Sequence, residues 1–223
     1  RDFYPIPAGQ NVGDFVHKDD VINFLDLISR DSEDSNYPFS TDEYRDMFAH
    51  TFWIVPGVKE ARALSALLKE HDKFKGFEIV NIAGDGDEEK PYDEALALVK
   101  NSIKYYDKTI TISCGKLTTG VTVREWTGVM MLSGSSSTAA AGYMQAIFRV
   151  QSPGCINGKQ KENCYVFDFA PDRTLKVIAE VHSVTHRGPK SEGARQALGE
   201  FINFCPIISV DGTLMRTYDV NDM

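Results

Sequence analysis

The sequence lacks most of the short motifs that announce a self-contained active site. Gly115-Lys116 is followed by Leu117 and Gly158-Lys159 by Gln160, so neither completes a GxxxxGK[ST] phosphate loop, and neither has the earlier glycine at the right spacing. GxGxxG, GxSxG and HExxH are absent too, which removes the usual dinucleotide, acyl-transfer and zinc-protease readings. The four cysteines (Cys114, Cys155, Cys164, Cys205) form no CxxC pair, so neither a zinc site nor a disulfide framework is suggested, and scattered thiols fit a reducing cytoplasm. The five histidines form no ligand cluster; His182 and His186 lie four apart without a third ligand in view. No apolar run approaches the roughly 18 to 20 residues that span a bilayer. There is no signal peptide and no initiator Met, since the chain starts at Arg1-Asp2-Phe3, and a fragment of something longer is expected. Positive charge is also in deficit. Twenty-four Lys and Arg face 32 Asp and Glu, for a net charge of -8, which argues against a surface that binds nucleic acid all over but leaves room for a local basic groove.

What is present is an ordinary globular composition, 42% apolar and 25% charged in 223 residues, with a regular alternation of strand and helix patterns. After an irregular lead-in rich in Pro and Gly, Asp14 is positioned to cap a helix from Phe15 to about Arg30, with Val16, Val21, Phe24, Leu25 and Ile28 inward. The acidic run DSEDSNYPFS reads as a solvated connector. Ser40 or Thr41 then caps a helix through His50, with Glu43 placed for a capping box. TFWIV, FEIVNI, KTITIS, GVMML and NCYVFDFA read as five strands. Between them lie the helix of VKEARALSALLKEHDKF, with Ala61, Leu64, Leu67 and Leu68 inward and Gly76 ending it, a helix from Tyr92 to about Tyr105 with Pro91 in its first turn, and the helix of STAAAGYMQAIFRV. Helices of 10 to 15 residues between strands imply βαβ units and a parallel sheet covered on both faces. Beyond Pro171, residues 172 to about 186 and 191 to 204 read as helices, and PIISV-DG-TLMRTY as a small hairpin or edge piece turning at Asp211-Gly212.

Chemistry concentrates between Lys108 and Val150. The loop LTTGVTV offers threonine hydroxyls and backbone N–H groups, and Gly120 lets a phosphate backbone come close. Gln145 and Arg149 are four apart on one helix and are expected on one face, at the same end of the sheet as that loop. On spacing alone Arg149 has two readings. It either stabilises charge on a transferred phosphoryl group or pairs with a carboxylate. Asp87-Glu88 is set off from its strand by Gly84-Asp85-Gly86, and a solvated loop suits it better than a magnesium pair.

Taken together and in order, these segments resemble the second, C-terminal RecA-like domain of superfamily 2 helicases and translocases, in the form found in restriction-modification helicase subunits. TFWIVPGVKEARALSALLKE resembles the motif IV strand and helix. KLTTGVTVREW resembles motif V, in the "LLTGFDAP" form of restriction motors. GYMQAIFRVQSP resembles motif VI, usually QxxGRxxR, and VFDFAP resembles the "DF" strand that follows it. The resemblance runs from about Thr51 to Arg173. It implies a RecA-like three-layer α/β/α fold with a mainly parallel sheet at 51–171, a helical N-terminal lead-in at 1–50 and a helical C-terminal extension at 172–223.

The resemblance also implies roles. Gln145 and Arg149 match the Gln and first Arg of motif VI, making Arg149 the arginine-finger candidate. Gly120 matches the motif V glycine, and Thr122 falls where many members carry an Asp near the ribose. Lys116, Thr118 and Thr119 fall in the loop that touches the nucleic-acid backbone, while Pro56, Gly57 and Lys59 fall where motif IV approaches the tracking strand. The pattern departs at two places: the motif VI glycine is Phe148, and the second arginine is Ser152. The implied function is the C-terminal motor half of an ATP-dependent DNA helicase or translocase of restriction-like type. ATP and Mg²⁺ would be shared with a first RecA-like domain supplying the P-loop lysine and the metal-binding carboxylates, so this chain would not bind or hydrolyse ATP alone. DNA rather than RNA, that first domain and attached nuclease or methyltransferase parts are the expected partners, with no membrane and a cytoplasmic location. The alternative is a non-catalytic RecA-like scaffold that has lost motor function; a small phosphotransferase or nuclease ranks below both for want of an acidic or nucleophilic cluster.

Overall fold

The computed structural model describes residues 15–170 except 34, 36, 85–90, 116, 119–121, 134–139 and 157, together with 208–211 and 214–217. In chain order the elements are α1 (Lys18–Ser29), α2 (Asp42–Met47), β1 (His50–Ile54), α3 (Val58–Glu70), β2 (Glu78–Asn81), α4 (Tyr92–Tyr105), β3 (Thr109–Ser113) and β4 (Gly128–Met131). These are followed by α5 (Ala140–Ile147), β5 (Cys155–Ile156), β6 (Lys159–Gln160), β7 (Tyr165–Asp168), β8 (Ile208–Asp211) and β9 (Leu214–Thr217). Strands β2-β3-β1-β4-β7 form one five-stranded sheet in that order, and every pairing in it is parallel.

β1, β2 and β4 are each followed by a helix that carries the chain back to the starting edge, and the 14 residues between β3 and β4 make the same return, so the strands run parallel. Both faces are then covered, so β1, β3 and β4 are buried at every position. Alternate side chains supply two cores. On one face Trp53, Ile79, Ile110, Ile112 and Met130 pack with Ala61, Leu64 and Leu68 of α3 and with Val21, Leu25 and Ile28 of α1. On the other, Phe52, Val80, Val129 and Met131 pack with Ala95 and Val99 of α4 and with Tyr143 and Ala146 of α5. The result is the three-layer α/β fold expected from the sequence.

Several local readings need correction. The first helix begins at Lys18, with His17 at the N-cap position, so Asp14, which lies outside the described residues, is too far upstream to cap it. Val16 is half exposed while Phe15 is buried, because both precede the helical register. The second helix stops at Met47, and His50 opens β1. Its cap is Thr41, whose side chain accepts from the Tyr44 N–H; Tyr44 therefore holds the position a capping-box glutamate would need, and Glu43 is one residue early. The third helix ends at Glu70 rather than Gly76, and a 3-10 turn, Asp72–Phe74, buries Phe74 below it. Pro91 is the N-cap of α4.

The lead-in belongs to the core rather than sitting beside it. Phe39 lies 5.2 Å from Phe74, 5.6 Å from Phe77 and 5.9 Å from Trp53, ring centre to ring centre. Arg45 donates to the Phe39 carbonyl and pairs with Asp31 at 3.1 Å. The last segment forms an antiparallel hairpin, with Ile208 opposite Thr217 and Asp211 opposite Leu214, as the Asp-Gly turn signal implies. The two helices expected at 172–186 and 191–204 lie outside the described residues, as do Asp87, Glu88, His182 and His186.

Candidate nucleotide and nucleic-acid faces

Parallel strands give the sheet two unlike edges. The C-terminal edge carries Ile54, Asn81, Ser113, Met131 and Asp168; the N-terminal edge carries His50, Glu78, Thr109, Gly128 and Tyr165. The candidate residues divide between them.

At the C-terminal edge β1 leads into Val55, whose N–H donates to the Ser113 carbonyl at 2.9 Å. Pro56 and Lys59 are exposed there and Gly57 is half-buried. Gly57 is the N-cap of α3 and has no side chain to cap the opening N–H groups of that helix. Glu60 in the same turn partly neutralises the positive end of the helix.

The turn after β3 sits beside this. Gly115 has φ +128° and Leu117 has φ +60°. A left-handed leucine costs about 1–2 kcal/mol. Burial of the Leu117 side chain in the second core offsets that cost, and strain of this kind tends to mark functional loops. The turn is closed by Thr118, whose hydroxyl and N–H both point to the Gly115 carbonyl. Lys116, Thr119 and Gly120 lie outside the described residues.

From this turn the chain descends across the α4/α5 face to the opposite edge. Leu117, Val123 and Trp126 line the way down, with Trp126 stacked on Phe52 at 4.3 Å and 10°. Thr127 N–H then reaches the His50 carbonyl at 3.0 Å before β4 begins. Thr122 is exposed near the bottom of this descent. It lines a cleft of about 720 Å³ with His50, Lys100, Lys104, Arg124, Glu125 and Cys155.

Arg149 is also near this N-terminal edge, and here the sequence reading is corrected. Helix α5 runs back from the C-terminal edge of β4, so its last turn ends far from the Gly115–Thr118 turn rather than beside it. The α-helix itself stops at Ile147, and Phe148–Gln151 tighten into a 3-10 turn. The tighter winding moves Arg149 off the strict four-residue alignment with Gln145. The two remain linked, because Arg149 Nε donates to the Gln145 carbonyl at 3.2 Å. Gln145 is exposed, and Phe148, in the place of the motif glycine, is 48% exposed and so crowds nothing beneath it.

A residue that spacing alone missed ties these pieces together. Lys161 Nζ donates to the carbonyls of Val150 at 2.8 Å, Trp126 at 2.9 Å and Arg124 at 3.1 Å. Burial pushes its ammonium below the usual lysine range, opposed by the charges of Cys164 and Glu125. Its strand-pair neighbourhood, β5 with β6, is a short antiparallel hairpin. The Asn-Gly dipeptide at 157–158 signals such a turn, and Gly158 has the positive φ of +79° that the turn demands.

Burial also holds His50 below the usual histidine range, against the pull of Glu125 and Asp107. Its Nδ1 shares a 3.0 Å hydrogen bond with the Thr109 hydroxyl. Among the described residues no three His, Cys, Asp or Glu side chains gather as metal ligands. No helix among them is long and apolar enough to cross a membrane.

The chain is 34% identical over 212 residues to a Mycoplasma pneumoniae protein whose provisional name is type II restriction enzyme and methyltransferase RM.MpnORF110P, C-terminus. The match takes in 92% of this chain but 29% of that protein, so the chain spans less than a third of its relative's length. No family model matches the chain. A looser structural likeness is to domain 2 of the DEAD-box helicase Mss116p bound to an RNA duplex, with TM-score 0.43 and 21% identity over 71% of this chain and 59% of that one.

Proposed function

We infer that this chain is the C-terminal motor half of an ATP-dependent DNA helicase or translocase of restriction-like type. The observation that carries the reading is the placement of two residues four apart in the chain. Thr118 lies at the C-terminal edge, beside Pro56, Gly57 and Lys59, and Thr122 lies at the N-terminal edge, on the same side as the Arg149 turn. A motor of this kind needs such a connection between a strand-gripping surface and a nucleotide surface, because hydrolysis at one must move the other. The named relative, a restriction enzyme and methyltransferase, supports the restriction-like setting and DNA as the track.

In this reading Arg149 supplies a guanidinium to the charge that develops as water attacks the γ-phosphorus of ATP and ADP leaves. Thr122 faces the ribose side, and Lys59, Lys116, Thr118 and Thr119 touch the backbone of the strand. The residues present fit the arginine's part of the task and no more. The P-loop lysine and the Mg²⁺-binding carboxylates belong to a first RecA-like domain, so the intact site forms only when the two domains close.

The test is direct. The chain alone should hydrolyse no ATP. Joined to a P-loop RecA-like domain of the same protein, it should give hydrolysis that DNA stimulates. Robust, DNA-stimulated hydrolysis by the chain alone would overturn the reading. Ser152, where the second arginine is missing, favours a second reading, a RecA-like scaffold. DNA binding by the joined protein with no hydrolysis would select it.

A further inference from the structure

The geometry points to Lys161 as the positioning residue that holds the Arg149 turn against the Thr122–Trp126 segment. The inference rests on the reading of Arg149 as the group that meets the nucleotide. An ammonium has three donors, and the carbonyls of Val150, Trp126 and Arg124 take all three, at 2.8, 2.9 and 3.1 Å. Val150 is one peptide beyond Arg149. Arg124 is two residues beyond Thr122. The lysine therefore joins the two segments that carry the proposed nucleotide contacts, which are otherwise separated by β4 and α5.

Two further features make the junction a fixed one. The Lys161 N–H donates to the Gly154 carbonyl at 2.8 Å, so the lysine's own backbone is pinned to the chain just past the Arg149 turn. At Gly154 a Cβ would lie 2.5 Å from the Arg124 carbonyl oxygen, so the two backbones meet with no side chain between them. The Val150 carbonyl lies in the 3-10 turn that follows α5, where orphan carbonyls gather and a cation is favoured. A methionine at 161 would keep the length and lose all three donors. A guanidinium could still reach the carbonyls, in a flatter arrangement.

The experiment is a cycle on the joined two-domain protein, measuring DNA-stimulated ATP hydrolysis for Lys161→Met, Lys161→Arg, Arg149→Ala and Lys161→Met with Arg149→Ala. Expected is a tenfold or greater fall in kcat for Lys161→Met with KM for ATP within about twofold, substantial recovery in Lys161→Arg, and a double variant no slower than Arg149→Ala alone, since a residue that acts only through Arg149 has nothing left to position. If Lys161→Met turns over normally, or its loss multiplies with that of Arg149→Ala, the positioning role is wrong while the motor reading stands. If Arg149→Ala itself leaves turnover unchanged, the motor reading fails and the inference fails with it.

Discussion

At the scale of single residues, the N-terminal edge is held by polar side chains inside an apolar frame. His50 is the titratable one. Its buried ring is kept neutral by desolvation, so its folded pKa is depressed below the unfolded value of about 6.5. The unfolded chain then binds more protons than the folded one as pH falls. The stability His50 contributes is present in full above about pH 6.5 and is lost as pH drops through that value towards its folded pKa. Urea unfolding at pH 8, 6.5 and 5.5 should show this loss in the wild type and a flatter profile in His50→Gln. Parallel profiles for the two proteins would show that His50 is not a source of the acid sensitivity. Lys161 belongs to the same scale and shows why sequence reading stops short there. Nothing in Lys-Glu-Asn-Cys marks a lysine whose partners are three backbone carbonyls 11 to 37 residues away, because such a bond is specified by where the chain goes and not by what residue accepts it.

At the scale of elements, what periodicity governs was legible and what termination chemistry governs was not. Helix α3 shows the inward set Ala61, Leu64, Leu67 and Leu68 that its spacing requires, and four of the sheet's five strands fall within the expected runs, while β1 opens one residue early at His50. The ends shifted. Thr41 outcompeted Ser40 as a cap, and α5 tightened into a 3-10 turn before Arg149, since caps and tight turns are decided by one or two bonds worth about 1 kcal/mol each. The direction of α5 had the larger consequence. A helix that returns antiparallel to its strand must deliver its C-terminus to the N-terminal edge. That rule, applied to Gln145 and Arg149 from the outset, separates them from the Gly115–Thr118 turn. The lead-in helix is part of the α/β core, with Leu25 of α1 fully buried in the same cluster as Trp53 and Leu64. Leu25→Ala should therefore cost about 3 kcal/mol of unfolding free energy, read from the denaturant midpoint at unchanged slope. A cost below about 1 kcal/mol would show that α1 is an appendage.

At the scale of the whole molecule, the proposed function assigns its two tasks to opposite edges of the sheet. The segment from Gly115 to Thr127 crosses between them, anchored above by the left-handed Leu117 and below by the Lys161 junction. With a net charge of -8, the proposed motor would contact DNA through a narrow set of groups at the C-terminal edge rather than through a broad basic face. In that proposal the grip on the strand comes from backbone N–H groups, hydroxyls and a few lysines. The most direct measurement is the turnover of Arg149→Ala in the joined two-domain protein at saturating DNA. The account predicts a fall in kcat of about 10³-fold with KM for ATP within about threefold, the loss expected when a charge-stabilising arginine is removed from phosphoryl transfer. Turnover within twofold of the wild type would contradict it.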